Sequence, residues 1–128
     1  QRGAIAIREA VRRAGVDAGA IDEVIMGHVL QGGSGQAPGR QAAIHAGLPG
    51  VIPALTINKV CGSGLKAVVL AAQAVALGDA RFVVAGGGGT MSDAPYPLKG
   101  GRGGLGEGQG QLLDPVMPEG PRGACADR

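Results

Sequence analysis

The run Ala54-Leu55-Thr56-Ile57-Asn58-Lys59-Val60-Cys61-Gly62-Ser63-Gly64-Leu65-Lys66-Ala67-Val68-Val69-Leu70-Ala71-Ala72-Gln73-Ala74-Val75-Ala76-Leu77-Gly78 decides how the chain is read. Residues 54–60 are rich in β-branched side chains and predict a strand leading into Cys61. From Gly64 to Leu77 almost every position is apolar, broken only by Lys66 and Gln73, and Gly78 closes the run. A helix apolar on all sides predicts burial. Cys61 then stands between the end of a strand and the start of a buried helix. Unpaired N–H groups of a first helical turn, with the positive end of the helix dipole, stabilise an anionic sulfur there, which makes Cys61 a candidate nucleophile toward a carbonyl or thioester. A cysteine taken at random is more often a small buried apolar residue, and it is the strand-to-helix position that reverses this. Gly62 and Gly64 lack Cβ atoms, allowing a sharp turn and close approach of a substrate to the backbone.

Working outward, residues 3–14 place Ile7, Val11 and Ala14 on one helical face and end at Gly15. The apolar run Val24-Ile25-Met26 with Val29-Leu30 predicts a strand that stops before Gly32-Gly33-Ser34-Gly35. Pro38 suits the first turn of a helix and Gly47 the position after its last, predicting a helix over 38–46. Phe82-Val83-Val84-Ala85 predicts a short buried strand. Helices and strands alternate, so the fold class is α/β with a layered arrangement and a mainly parallel sheet. The chain opens in a helix rather than a strand and without Met, so an internal piece of a longer protein is expected.

The 128 residues suit one domain or part of one, 45% apolar and 17% charged. Twenty-six Gly and 8 Pro, against one Phe and one Tyr, are unusual for a packed domain, and they concentrate after about residue 86. Twelve Lys+Arg against 10 Asp+Glu leave a net charge of +2, and the basic residues are scattered. That argues against a nucleic-acid partner. Cys61 and Cys125 form no Cys-x-x-Cys, and with only His28 and His45 beside them no metal-ligand spacing and no disulfide framework is expected. A reducing, cytoplasmic setting is the default. No leader pattern and no run approaching the ~18 apolar residues of a membrane span is read, so no membrane role is expected.

Gly62-x-Gly64-x-x-Ala67, between a predicted strand and a predicted helix, also fits a dinucleotide-binding (Rossmann-type) fingerprint. That fingerprint wants an acidic residue at the end of the next strand, where this chain has Gly86 to Gly89. Gly101-Arg102-Gly103-Gly104-Leu105-Gly106 matches the same glycine spacing without a strand before it or a helix after it. A non-catalytic structural remnant is the third reading.

The segment Asn58 to Ala67 resembles the nucleophilic-cysteine segment of the thiolases, acetyl-CoA acetyltransferases in particular. So do Val24-Ile25-Met26-Gly27, Val29-Leu30-Gln31 and Gly35-Gln36-Ala37-Pro38-Gly39-Arg40-Gln41-Ala42-Ala43 upstream. Gly78-Asp79-Ala80, Val83-Val84-Ala85-Gly86-Gly87 and Met91-Ser92-Asp93-Ala94-Pro95-Tyr96 continue it downstream. The resemblance covers residues 3–98 and weakens beyond. It implies an α/β/α layered fold, incomplete in this chain, with residues 1–86 in the family's N-terminal domain and 87–128 beginning its loop region.

It also implies that Cys61 accepts an acyl group from acetyl-CoA or a 3-ketoacyl-CoA, with its backbone N–H as an oxyanion donor and Gly62 and Gly64 supporting the turn. Coenzyme A thioesters are then substrates, no cofactor is bound, and a homodimer or homotetramer forms through the strand before Cys61. The family's activating His and second acid/base Cys have no counterpart here. Cys125 lacks the required context, and His28 and His45 match no catalytic motif, a dipole or capping role suiting His45. The family usually reads Met, Glu, Ser where this chain has Gly88, Gly89, Thr90, and has an aromatic near Gly103 or Gly104. Glu119 to Ala124 has lost the family pattern.

Overall fold

A computed structural model describes residues 2–108 and 110–116. The chain runs α1 (Arg2–Ala14), β1 (Glu23–Gly27), α2 (Pro38–Ala46), β2 (Ala54–Ile57), α3 (Ser63–Leu77) and β3 (Val83–Gly87). Single 3-10 turns occupy Ala18–Ala20, Met91–Asp93 and Gly101–Gly103. The strands form a parallel sheet in the order β2-β1-β3, with Gly27 opposite Ile57 on one side and Gly87 on the other. All three strands therefore end level, and the loops after them leave from one edge.

Alternation along β1, the central strand, decides the layers. Val24 and Met26 point into a core shared with Ala4 and Ile7 of α1 and Ala43 and Ala46 of α2. Ile25 points the other way, onto Ala67 and Ala71 of α3. The sheet thus lies between α1 and α2 on one face and α3 on the other, the layered α/β/α arrangement expected. On the outer side of α1, Glu9 pairs with Arg12 and Arg13, each at 2.7 Å. These hydrogen bonds, Arg12 foremost, pull the Glu9 carboxyl down to about 2. Arg8 reaches across to the carbonyls of His45 (2.9 Å) and Ala46 (3.4 Å), bringing positive charge to the C-terminus of α2.

Both upstream strands are shorter than the sequence predicts. β1 stops at Gly27 rather than running to Leu30, and β2 at Ile57 rather than Val60. The last ladder bond joins His28 N–H to the Ile57 carbonyl at 2.9 Å, after which side chains take over the backbone groups. The last strand starts one residue later than predicted and extends through Gly87, and its unit closes at Gly89.

Two further expectations need correction. Residues 60–77 reach a mean hydropathy of 1.7 over 18 residues, so a stretch apolar and long enough to cross a membrane is present by composition. The helical part, α3, has 15 residues, roughly 22 Å at 1.5 Å per residue and short of the ~30 Å hydrocarbon core. Nor is α3 buried on all sides. Ser63, Ala67 and Ala71 line its buried face, whereas Leu65 is 72% and Leu77 77% exposed. One sheet covers one face of a helix, and nothing else among the described residues of this unit packs on the other.

The second unit begins at Thr90. Leu98 and Leu112 form an isolated antiparallel bridge, reinforced by Leu113 N–H to the Pro97 carbonyl at 3.1 Å. The Tyr96 hydroxyl donates to Asp114 at 3.3 Å. The Gly101 to Gly106 glycine pattern opens with a 3-10 turn and is not a strand–turn–helix. Cys125 and the Glu119 to Ala124 stretch lie outside the described residues.

Candidate active site

Cys61 lies in a turn of four residues between Ile57, where β2 ends, and Gly62, the N-cap of α3. Its thiol is free and exposed. The turn is held by its own side chains. Asn58 accepts the Val60 N–H on Oδ1 at 2.9 Å and donates from Nδ2 to the Val29 carbonyl at 3.1 Å. Ser63 is 3% exposed; its hydroxyl accepts the Lys59 N–H at 2.8 Å and donates to the Val60 carbonyl at 2.6 Å. Backbone bonds from Gly62 N–H to Lys59 and from Ser63 N–H to Val60, both 3.1 Å, complete the clasp. Among the described residues the Cys61 N–H makes no hydrogen bond to an acceptor.

Gly62 has φ −85°, open to any residue, while Val60 takes the left-handed conformation at φ +48°. The positions that exclude a Cβ here are Gly27 and Gly87. A Cβ on Gly27 would collide with the Ser63 carbonyl carbon and sit 2.6 Å from Gly64 N, and one on Gly87 would sit 2.9 Å from the Gly64 Cα. Bare backbone at the ends of β1 and β3 therefore lets the first turn of α3 settle onto the sheet edge. There the turn with Cys61 is tied to the loop after β1 through Asn58 and the Val29 carbonyl.

The remaining candidates fall as follows. Gly64 lies in the first turn of α3 against Gly87, and Ala67 is fully buried against the sheet. As a dinucleotide fingerprint, Gly62, Gly64 and Ala67 lack the acidic partner, because β3 ends in Gly86-Gly87 and runs on into Gly88-Gly89. His28 Nε2 faces the Leu30 carbonyl at 3.0 Å and the Ser34 hydroxyl at 3.4 Å, which shapes the loop after β1. The His45 side chain is exposed, and its carbonyl is what Arg8 caps. No cluster of three or more metal-ligating side chains occurs among the described residues. Sequence reasoning did not single out Asn58 and Ser63 as site residues. The preference of Asn for accepting a backbone N–H two residues on was the available signal.

Comparison with known proteins agrees with this fold. The family model described as "Thiolase, N-terminal domain" matches residues 2–127. The chain is 58% identical over 118 residues to an acetyl-CoA acetyltransferase of Cupriavidus necator and 56% to one of Pseudomonas aeruginosa. Each match takes 92% of this chain and 30% of the relative, so the chain spans less than a third of the length of these relatives. Among solved structures, a thiolase from Ascaris suum in complex with coenzyme A superposes with a TM-score of 0.81 at 40% identity, over 90% of this chain and 30% of that one. The acetyl-CoA acetyltransferase of Bacillus anthracis gives 0.78 at 41% identity, over 84% and 27%.

Proposed function

This chain belongs to the thiolase family, and from that premise we propose that the natural protein transfers acyl groups between coenzyme A thioesters with Cys61 as nucleophile. The observation that carries this reading is the exposed Cys61 thiol on a clasped turn at the head of α3, inside the family's N-terminal domain. The sulfur, as thiolate, attacks the carbonyl carbon of acetyl-CoA; a new C–S bond forms, the bond to the CoA sulfur breaks, and CoA leaves as a thiolate that takes up a proton. In this reading the Cys61 N–H, which has no acceptor among the described residues, donates to the oxyanion that develops on the acyl oxygen.

In the second half, a second acetyl-CoA loses a proton from its methyl carbon to a base. That carbon attacks the acetyl group on Cys61, forming acetoacetyl-CoA and releasing the Cys61 thiolate. Run in reverse, the Cys61 thiolate attacks the keto carbon of a 3-ketoacyl-CoA, the carbon–carbon bond breaks to leave an acyl group on sulfur, the departing acetyl-CoA carbanion takes up a proton from the acid, and CoA thiolate then takes the acyl group and frees Cys61. The base and the acid are the family's His and second Cys, which match no motif of this chain.

Two companion readings go with it. The outer side of β2, an edge strand, has no partner among the described residues, which supports pairing of two copies there. A nucleophile that must stay a free thiol suits a cytoplasmic, reducing setting. The test is intact mass of the natural protein after brief exposure to acetoacetyl-CoA, followed by peptide mapping. An acetyl adduct on Cys61, absent in a folded Cys61→Ser variant that has lost turnover, is the expected result; turnover near wild type in that variant refutes the assignment.

A further inference from the structure

We propose that Asn58 is a positioning residue for Cys61, holding Val60 in its left-handed conformation and tying the nucleophile's turn to the loop after β1. The proposal rests on the acyl-transfer reading and deepens it. A β-branched residue at positive φ is an outlier that persists only where its surroundings enforce it, and Val60 is one of only two non-glycine residues at positive φ among those described. Val60 immediately precedes Cys61, so its φ sets the direction in which the Cys61 amide and thiol leave the turn.

The Asn58 amide is the group that meets both demands of this geometry. Its orientation follows from its partners: the Val60 N–H requires an acceptor, so Oδ1 faces it, and the Val29 carbonyl requires a donor, so Nδ2 faces that. One planar side chain thus spans the Cys61 turn and the loop that follows the central strand. Asn58 is itself exposed, so it fills no core and its contribution is made through these two hydrogen bonds. Ser63 pins the other end of the turn from a buried position, through the Val60 carbonyl. The two residues hold opposite ends of the same left-handed peptide segment, and Asn58 is the one that can be altered without opening the core.

The experiment uses the natural protein and three variants, Asn58→Ala, Asn58→Asp and Asn58→Ala/Val60→Gly. Single-turnover acetylation of Cys61 by acetoacetyl-CoA is followed by mass, together with steady-state kcat and KM. Asn58→Ala is expected to lower the acetylation rate and kcat about 10- to 100-fold with KM little changed, the size of effect that misplacing a reacting group by about 1 Å produces. Asn58→Asp keeps the acceptor for Val60 and loses the donor to Val29, so its rate falls between wild type and Asn58→Ala. Glycine adopts positive φ without help, so adding Val60→Gly recovers at least about tenfold of the rate lost in Asn58→Ala. A general loss of structure would not be recovered by adding a flexible residue.

An Asn58→Ala rate equal to wild type, or a double variant no faster than Asn58→Ala, overturns the proposal. If the wild type itself takes up no acetyl group, the acyl-transfer reading falls. Alkylation of Cys61 by iodoacetamide then decides the positioning separately: slower alkylation in Asn58→Ala supports it, and equal rates overturn it.

Discussion

Within the four residues from Asn58 to Cys61, conformational cost and hydrogen bonding are set against each other. Val60 carries the left-handed backbone, and Asn58 and Ser63 supply the bonds that keep it there. Gly62, beside Cys61, has an ordinary φ, and a Cβ built on it would meet only the Lys59 carbonyl oxygen at 3.4 Å and the Lys59 Cδ at 3.9 Å. Gly62→Ala is therefore expected to change stability by no more than about 1 kcal/mol, the scale of exchanging glycine for alanine at an N-cap, and to keep Cys61 reactive. Chemical denaturation and the acetylation assay check both halves; loss of the adduct in this variant would mean that the substrate itself needs the bare backbone. The sequence expectation rests the turn on the missing Cβ atoms of Gly62 and Gly64; that neighbouring side chains hold Val60 in a left-handed conformation beside them is visible only in the structure.

At the scale of elements, the seating of α3 on the sheet depends on glycines that belong to the strands. The tight contacts are one-sided. A Cβ on Gly27 would be driven into the backbone of Ser63 and Gly64, whereas a Cβ on Gly64 would meet Gly87 Cα at 3.5 Å, an ordinary contact. Gly27→Ala is expected to destabilise the natural protein by about 1–3 kcal/mol or more, the cost of overpacking against a backbone that cannot yield. It should also lower Cys61 acetylation, because the helix head and the turn shift together. Urea denaturation beside the same mass assay measures the pair, and Gly64→Ala, changing neither much, is the control. The elements themselves were legible: all three helices and all three strands were placed from apolar pattern, Pro38, Gly47 and Gly78. Their ends were less so, because β1 and β2 stop where tertiary hydrogen bonds through Asn58 and the glycine seat of α3 take over from local propensity.

For the whole molecule, stability depends on ties between distant parts of the chain, and one of them titrates. The Asp22 carboxylate accepts the N–H groups of Arg81 at 2.7 Å and Phe82 at 2.9 Å, joining the approach to β1 to the approach to β3. The Phe82 and then the Arg81 N–H hold its carboxyl below the ordinary value of 3.8. A carboxyl lowered on folding adds stability above its unfolded value and loses it as pH falls through the folded value. Asp22→Asn is thus expected to melt below wild type at pH 7, with the gap closing as pH is lowered past about 4. Thermal melts of both proteins across that range check it, and a gap independent of pH would show that the charge plays no part.

By itself the sequence determined the α/β class, the order of helices and strands, the family, and the cysteine that the family resemblance marks as nucleophile. Each of these rests on local pattern: periodicity, turn residues, and a contiguous motif around Cys61. Only the tertiary structure decided that α3 buries one face and leaves Leu65 and Leu77 exposed, because burial depends on what packs against a helix and not on its composition. It also decided that Gly27 and Gly87, more than 20 residues from Cys61 in either direction, seat the helix that follows Cys61, and that Asn58 clasps the turn to Val29 across 29 positions of chain. Such contacts join residues far apart in sequence, so no local window contains both partners.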